Sequence, residues 1–318
     1  MTSEENSSLV FVPSQEDEGK RLDSFLAEKI DHWSRSRLQK LIDEGDVLIN
    51  DKTVKSSYRV SPTDEIEVEL TVAPADSFAP EDIPLDIVFE DDDIAVINKP
   101  AGMVVHPGAG IQNGTLANAI AWHFKFQAPD PKFENRVGIV HRLDKDTSGL
   151  IVVAKNELAH ENLSAQFQDR KVFKSYLALT HGQFETESGQ IEAPVARDRT
   201  NRLRMAVVRG GRYALSLWRV RERFDKFTML EVEIKTGRTH QIRVHLAHIK
   251  HPVVGDDIYN GGRDKTVANV KKRTAISHLG RFFLHAERLE FDHPKTGQRL
   301  KFSAPLPAEL LELLDLIR

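Results

Sequence analysis

From Gly138 the chain runs through the polar cluster HRLDKDTSG into the uninterrupted apolar run LIVVA, Leu150 to Ala154. A short apolar run rich in β-branched residues and entered through a Gly-containing turn reads as a buried strand. It fixes much of what the chain can become, because a strand of this kind needs a packed core around it. Asp144 then sits at the mouth of that core, where a carboxylate costs free energy unless something compensates it.

The residues of the turn admit three readings. Asp144, Asp146, Thr147 and Ser148 could cap local backbone groups ahead of the strand. Asp144, Asp146, Ser148 and Gly149 also fall at the first, third, fifth and sixth positions of a calcium-binding loop, but the closing bidentate Glu is replaced by Lys155 and a strand follows where a helix is required. The third reading is catalytic, with Asp144 as a carboxylate held at the edge of a dry pocket. Spacing alone leaves the first and third open.

Read along its length, the chain divides in four. Residues 1–18 are expected to be a disordered acidic N-terminus and 19–72 a small domain. Proline-rich 73–84 reads as a linker, leaving 85–318 as the main domain. In the small domain, Leu22, Phe25, Leu26 and Ile30 follow helical spacing. Ser34 reads as the N-cap of a second helix bearing Leu38, Leu41 and Ile42 and ended by Gly45. Val47 to Asn50, Thr53 to Val60 and Glu65 to Leu70 read as strands. Beyond the linker, DIVFE, DIAVINK, LIVVAK, SYLALT, YALSLWRV, TMLEVEIK, FLHAERLEF and RLKFSA read as strands, with helices best supported at Thr115 to Trp122, Leu158 to Gln168 and His240 to His248. Irregular alternation of this kind predicts an α+β fold: a mixed, largely antiparallel sheet with flanking helices, plus a small N-terminal α+β domain.

The absence of cysteine excludes disulfides, thiolate catalysis and Cys-ligated zinc, and suits a reducing cytoplasm. No apolar run approaches a membrane span, and the start of the chain lacks the pattern of a leader. A cytoplasmic protein without a membrane partner is expected. The formal net charge of −4 hides a strong segregation: Arg197 to Arg281 holds 20 Lys and Arg against 8 Asp and Glu, and nine of those arginines lie between Arg197 and Arg223. So one-sided a stretch predicts a face that meets phosphate, Arg202 and Arg204 included.

Two other patterns point to cofactors and fail. Gly108, Gly110 and Gly114 follow a strand, but the third glycine comes one residue late for a dinucleotide turn. His240, His245, His248 and His251 lack the spacing and the carboxylate of a zinc helix. Neither a metal nor a cofactor is expected.

HRLDKDTSGL closely resembles the signature of the RluA-type pseudouridine synthases, which isomerise uridine within structured RNA. The likeness continues through NKPAGMVVHPG (Asn98 to Gly108), KSYLA (Lys174 to Ala178), TGRTHQIRVHLAHIKHPVVGD (Thr236 to Asp256) and FLHAERLEF (Phe283 to Phe291), in the family's order. RLDSFLAEKI and SRSRLQKLIDEGDVLIN resemble the small S-four-type RNA-binding domain. The resemblance implies that Asp144 is the catalytic carboxylate and that Arg243 pairs with it, Arg238 being the second choice. It implies that Tyr176 lies against the target base and helps remove its proton. It also implies that Arg142 fills the space left by the extruded uridine, and that Leu284 walls the pocket. RNA contacts would come from Arg35, Arg37, Lys40, Lys52 and Lys55 in the small domain and from Arg238 and His240 in the main one.

The resemblance further implies a monomer needing no protein partner and acting on RNA, most similar to enzymes of large-subunit ribosomal RNA. Transfer RNA as substrate, or a non-catalytic ribosome-assembly role, are the alternatives. The second is disfavoured because Asp144, Tyr176 and Arg243 occur together.

Overall fold

The computed structural model describes residues 8–30, 33, 35–69, 79–107, 111–125, 138–198, 200–201 and 204–318. Its first unit packs helices α1 (Leu22–Lys29) and α2 (Arg35–Glu44) on a four-stranded antiparallel sheet. The strands are β1 (Ser8–Phe11), β2 (Val47–Ile49), β3 (Lys52–Thr53) and β4 (Ile66–Glu69), in the order β1-β4-β2-β3. Leu22, Phe25 and Leu26 of α1 meet Leu38 and Ile42 of α2 over Val47, Ile66 and Val68, all buried. Each such side chain contributes roughly 1.5–3 kcal/mol. Gly45, at φ +78°, ends α2 in a conformation that favours glycine.

Two expectations for this unit need correction. Disorder does not extend over residues 8–18: Ser8–Phe11 pairs with Glu69–Ile66, and the Phe11 ring stands edge-on to Phe25 at 6.3 Å. The long strand from Thr53 to Val60 is absent. Lys52 and Thr53 pair with β2, after which the chain turns, lays Val54 and Tyr58 against the core and meets Arg21 through a single bridge at Arg59. Ser34, read as an N-cap, lies outside the described residues, as do 1–7 and the first half of the linker, 73–78.

The main unit contains, in chain order, β5 (Ile87–Glu90), β6 (Ile94–Lys99), α3 (Leu116–Phe124), β7 (Ser148–Ala154), α4 (Glu157–Gln168), β8 (Phe173–His181), β9 (Ser188–Glu192), β10 (Val195–Arg197), β11 (Met205–Val207), β12 (Leu215–Arg223), β13 (Phe227–Ile234), α5 (Gln241–His248), α6 (Val270–Leu279), β14 (Leu284–Asp292), β15 (Arg299–Ser303) and α7 (Ala308–Ile317). Nine strands form one sheet in the order β5-β6-β7-β14-β8-β13-β12-β9, with β15 added to β14, while β10 and β11 make a separate ribbon. Every pairing in the large sheet is antiparallel except β7 with β14. The fold is α+β, mixed and largely antiparallel.

The apolar run of β7 is now explained. Ile151 and Val153 face a core shared with α3 and α5, whereas Leu150, Val152 and Ala154 face the core under α4. Both faces are buried, which removes the polar alternation of a half-exposed strand. Gly149, at φ +113°, lets β7 approach β14, since a Cβ there would come 2.3 Å from the Ala286 carbonyl oxygen. Among the described residues no helix is long and apolar enough to cross a membrane.

The two units meet through charge. Arg197 Nε lies 2.7 Å from Glu67, Arg212 bonds Asp46 and stands 3.6 Å from Glu69, and the Thr239 hydroxyl donates to Glu69. Part of the basic segment is therefore spent on the acidic edge of the first unit, not on phosphate.

Candidate active site

Asp144 occupies the turn that precedes β7, and two devices hold that turn. Thr147 N donates to the Asp144 carbonyl at 3.1 Å. Beneath it, the fully buried Lys99 donates to the carbonyls of Pro100 (2.7 Å), Met103 (2.9 Å) and Lys145 (3.0 Å), tying the Pro100–Met103 turn to the Asp144 turn. Burial pushes the Lys99 ammonium down to about 7, against the pull of Asp146 and Asp144. Beside it, His141 Nε2 accepts from Val152 N at 3.0 Å, so its ring fastens the start of the turn to the strand.

The parallel register sets Ala286 of β14 beside Gly149, and the antiparallel register sets Tyr176 of β8 beside the same Ala286. Two strands thus carry Tyr176 close enough to the Asp144 turn to feel its charge. Burial, reinforced by the Asp144 charge, raises the Tyr176 phenol above its ordinary pKa. It is therefore protonated at neutral pH and offers a ring face and an O–H. Leu284, opposite Ala178 on the neighbouring strand, packs in the core that holds Tyr176.

From the other side α5 brings Arg243, whose side chain is 2% exposed. Its Nη1 stands 3.5 Å from Asp144 Oδ2, while its Nε and Nη2 donate to Asp256 at 2.7 and 2.9 Å. Arg243 thus meets Asp144 through one N–H, and its two-pronged ion pair is made with Asp256. Asp256 is fully buried and accepts also from the backbone N–H of Ile258 and Tyr259, so its charge is the one most in need of a guanidinium. Phe282 covers the guanidinium at 4.0 Å from its ring centroid.

Asp144 keeps 17% of its side chain exposed. Burial would raise its pKa, but His240, Arg243 and Arg142 outweigh burial and hold the carboxyl below the ordinary carboxylate range. Burial in turn presses His240 down to about 4, so at neutral pH that ring is uncharged and the two arginines carry the effect. The result is an ionised carboxylate in a sheltered place.

The remaining predicted residues divide. Arg142 is exposed next to Asp144. Arg238 does not join the carboxylate: its Nε donates to the Tyr213 carbonyl at 3.1 Å. His240, expected on the RNA surface, is buried with Nδ1 2.8 Å from the Tyr259 hydroxyl and lies near Asp144. Arg35 is paired with Asp23 at 3.1 Å, and Arg204 with Asp198 at 2.6 Å. Lys52 and Lys55 are exposed. Arg202 and the side chains of Arg37 and Lys40 lie outside the described residues.

Asp256 and Lys99 were missed as site residues. Both stand in stretches the sequence singled out, but an aspartate closing VVGD and a lysine before proline give no sign of their partners.

For a calcium loop the geometry does not serve, because the Ser148 hydroxyl bonds His285 Nδ1 at 2.9 Å and Lys155 pairs with Glu90. The helical histidines are engaged too, His245 with Ser216 and with the Ala193 carbonyl. Asp91, Asp93 and His293 come close enough to hold an ion, but His293 Nδ1 accepts from Lys295 N and Thr296 N. The ring therefore carries its proton on Nε2, where it donates to Asp91 at 2.7 Å.

A sheltered carboxylate beside a guanidinium and a tyrosine, behind an appended small domain, is the arrangement of an RNA-modifying isomerase. The family model for RNA pseudouridylate synthase matches residues 93–248, and that for the S4 domain matches residues 20–66. The chain is 42% identical over 308 residues to the uncharacterized RNA pseudouridine synthase YlyB of Bacillus subtilis, spanning 96% of both. It is 45% identical to ribosomal large subunit pseudouridine synthase D of Pseudomonas aeruginosa, over 94% of this chain and 92% of that relative. The solved structure of human RNA pseudouridylate synthase domain containing 1 superposes with a TM-score of 0.54 at 26% identity, over 70% of this chain and 84% of that one. The chain belongs to the RNA pseudouridylate synthase family and carries an N-terminal S4 domain.

Proposed function

We propose that this enzyme isomerises uridines of large-subunit ribosomal RNA, with Asp144 as the reacting carboxylate, Arg243 as its partner and Tyr176 against the base. The observation that carries the reading is the ionised Asp144, partly exposed and held beside Arg243, with the buried Tyr176 close enough to feel its charge. The reaction breaks the bond from ribose to a ring nitrogen, turns the base and forms a bond from ribose to a ring carbon. The proton lost from that carbon is balanced by one gained at the freed nitrogen, so no cofactor is consumed. A carboxylate near the sugar assists the departure and return of the base, and flipping the uridine out of folded RNA costs a few kcal/mol that RNA contacts must offset. Arg142, exposed beside Asp144, suits the vacated space. The ribosomal target is supported by the relatives that carry that substrate in their names. We further propose that the enzyme works as a monomer in the cytoplasm, which the cysteine-free composition suits.

The test is to incubate the full chain with unmodified large-subunit ribosomal RNA transcript and with transfer RNA transcripts, and to map pseudouridine in each. Discrete sites in the ribosomal transcript, absent with Asp144→Asn at unchanged RNA affinity, are expected. Modification of transfer RNA alone would overturn the substrate. RNA binding without modification of either would make the chain a non-catalytic assembly factor.

A further inference from the structure

One surface combines an exposed aromatic ring with the cations of Arg170, Arg238 and Lys174. Tyr213 follows the interdomain Arg212 and precedes the buried Ala214, yet 44% of it is exposed. Single exposed aromatics are ordinary, but this one is framed. The Arg170 guanidinium stands 5.6 Å from its ring centroid, and Arg170 itself is set at φ +59°, a conformation L residues rarely take. On the other side Arg238 Nε donates to the Tyr213 carbonyl at 3.1 Å.

Gly237 borders Lys174, and a Cβ built there would lie 3.9 Å from the Lys174 ammonium. Lys174 stands two residues before Tyr176 on β8, hence on the same face of the strand. Its ammonium lies 5.1 Å from the Phe167 ring centroid, and among the described residues no carboxylate pairs with it. Burial presses it down to about 8. An ammonium sheltered by an aromatic ring and lacking a carboxylate is completed by an anion from outside, and the ring of Tyr213 beyond it asks for a flat partner. A phosphate followed by a base satisfies both.

We propose that Tyr213 is a stacking platform for an unpaired nucleobase flanking the target uridine, with Lys174 holding the phosphate between them. The proposal rests on RNA being the substrate, and the experiment separates the two. With large-subunit ribosomal RNA transcript, Tyr213→Ala raises KM about 5- to 150-fold at unchanged kcat, the range of one stacked base, while Tyr213→Phe stays near wild type. Lys174→Met flattens the slope of log KM against log salt by about 0.7. A short oligouridylate carrying one 2-aminopurine is quenched by wild type and by Tyr213→Phe but not by Tyr213→Ala.

Wild-type KM and quenching in Tyr213→Ala, with the transcript modified, would overturn the platform. So would a Tyr213→Phe protein of normal thermal midpoint that binds as poorly as the alanine variant. A wild-type chain that quenches the probe but leaves the transcript unmodified would overturn the substrate reading and keep the platform.

Discussion

Arg243 and Arg212 are both largely buried, and each meets two carboxylates, but those carboxylates differ in what they face. Arg243 gives its two-pronged contact to the buried Asp256 and keeps one N–H for Asp144, which is partly exposed. Arg212 meets Asp46 and Glu69, both supplied by the N-terminal unit. The same ionic chemistry holds the carboxylate proposed to react in one place and clamps two units together in the other. Both second carboxylates are partly exposed and at the longer contact, Asp144 at 17% and 3.5 Å and Glu69 at 19% and 3.6 Å; what separates them is that Glu69 is also tied by the Thr239 hydroxyl.

The comparison can be broken first at Asp144. Asp144→Asn removes the charge while keeping the shape, and kcat should fall by at least about 10⁴-fold, the scale on which loss of an essential nucleophile or its carboxylate is felt. A normal denaturant midpoint should accompany it. Arg243→Ala should cost stability as well, roughly 3–5 kcal/mol, because Asp256 is left buried without its cation. Arg243→Lys should recover part of the stability and none of the rate, since one ammonium cannot fork on Asp256 and also reach Asp144. Equal recovery of both would mean that charge alone matters at that position.

Arg212→Ala should cost less, about 1–3 kcal/mol, because Asp46 loses a partner while Arg197–Glu67 and Thr239–Glu69 remain. The radius of gyration from small-angle scattering should rise and kcat should hold. An unchanged radius would mean that the clamp is dispensable. The mildest effect concerns pH. Asp144 is held below the ordinary carboxylate range, so it stays ionised as pH falls past the unfolded value near about 3.9. Its contribution is lost only in stronger acid, when pH passes through the folded value. Single-turnover rates should show no acid limb above about pH 4 from this group. A limb between pH 5 and 6 would contradict the assignment of Arg243 and Arg142 as the groups that hold it ionised.

What the sequence disclosed follows from how local each feature is. LIVVA announced a buried strand because the apolar pattern lies within five residues, and α1 to α5 were legible from spacing with turn signals. β1 was hidden because its partner lies in residues 66–69, so an acidic, Ser-rich start looked unstructured. The Asp144–Arg243 contact spans 99 residues and came only from resemblance to a family. Asp256 stayed unread, because an ion pair between a helix and a later loop leaves no periodic trace. The charge segregation was read with the correct sign, but its partners were taken to be phosphate alone. Arg197 and Arg212 answer the acidic surplus of the first unit, a sharing that only the docked surfaces reveal.

β14 enters the sheet between β7 and β8, although those two strands are neighbours along the chain. The gap it fills stays open until residues 284–292 arrive. Until that strand pairs, the Asp144 turn lacks the backbone against which Gly149 closes, so the site depends on a contact between positions 149 and 286. Pairing of such long range is slow, which sets assembly of the site late in folding.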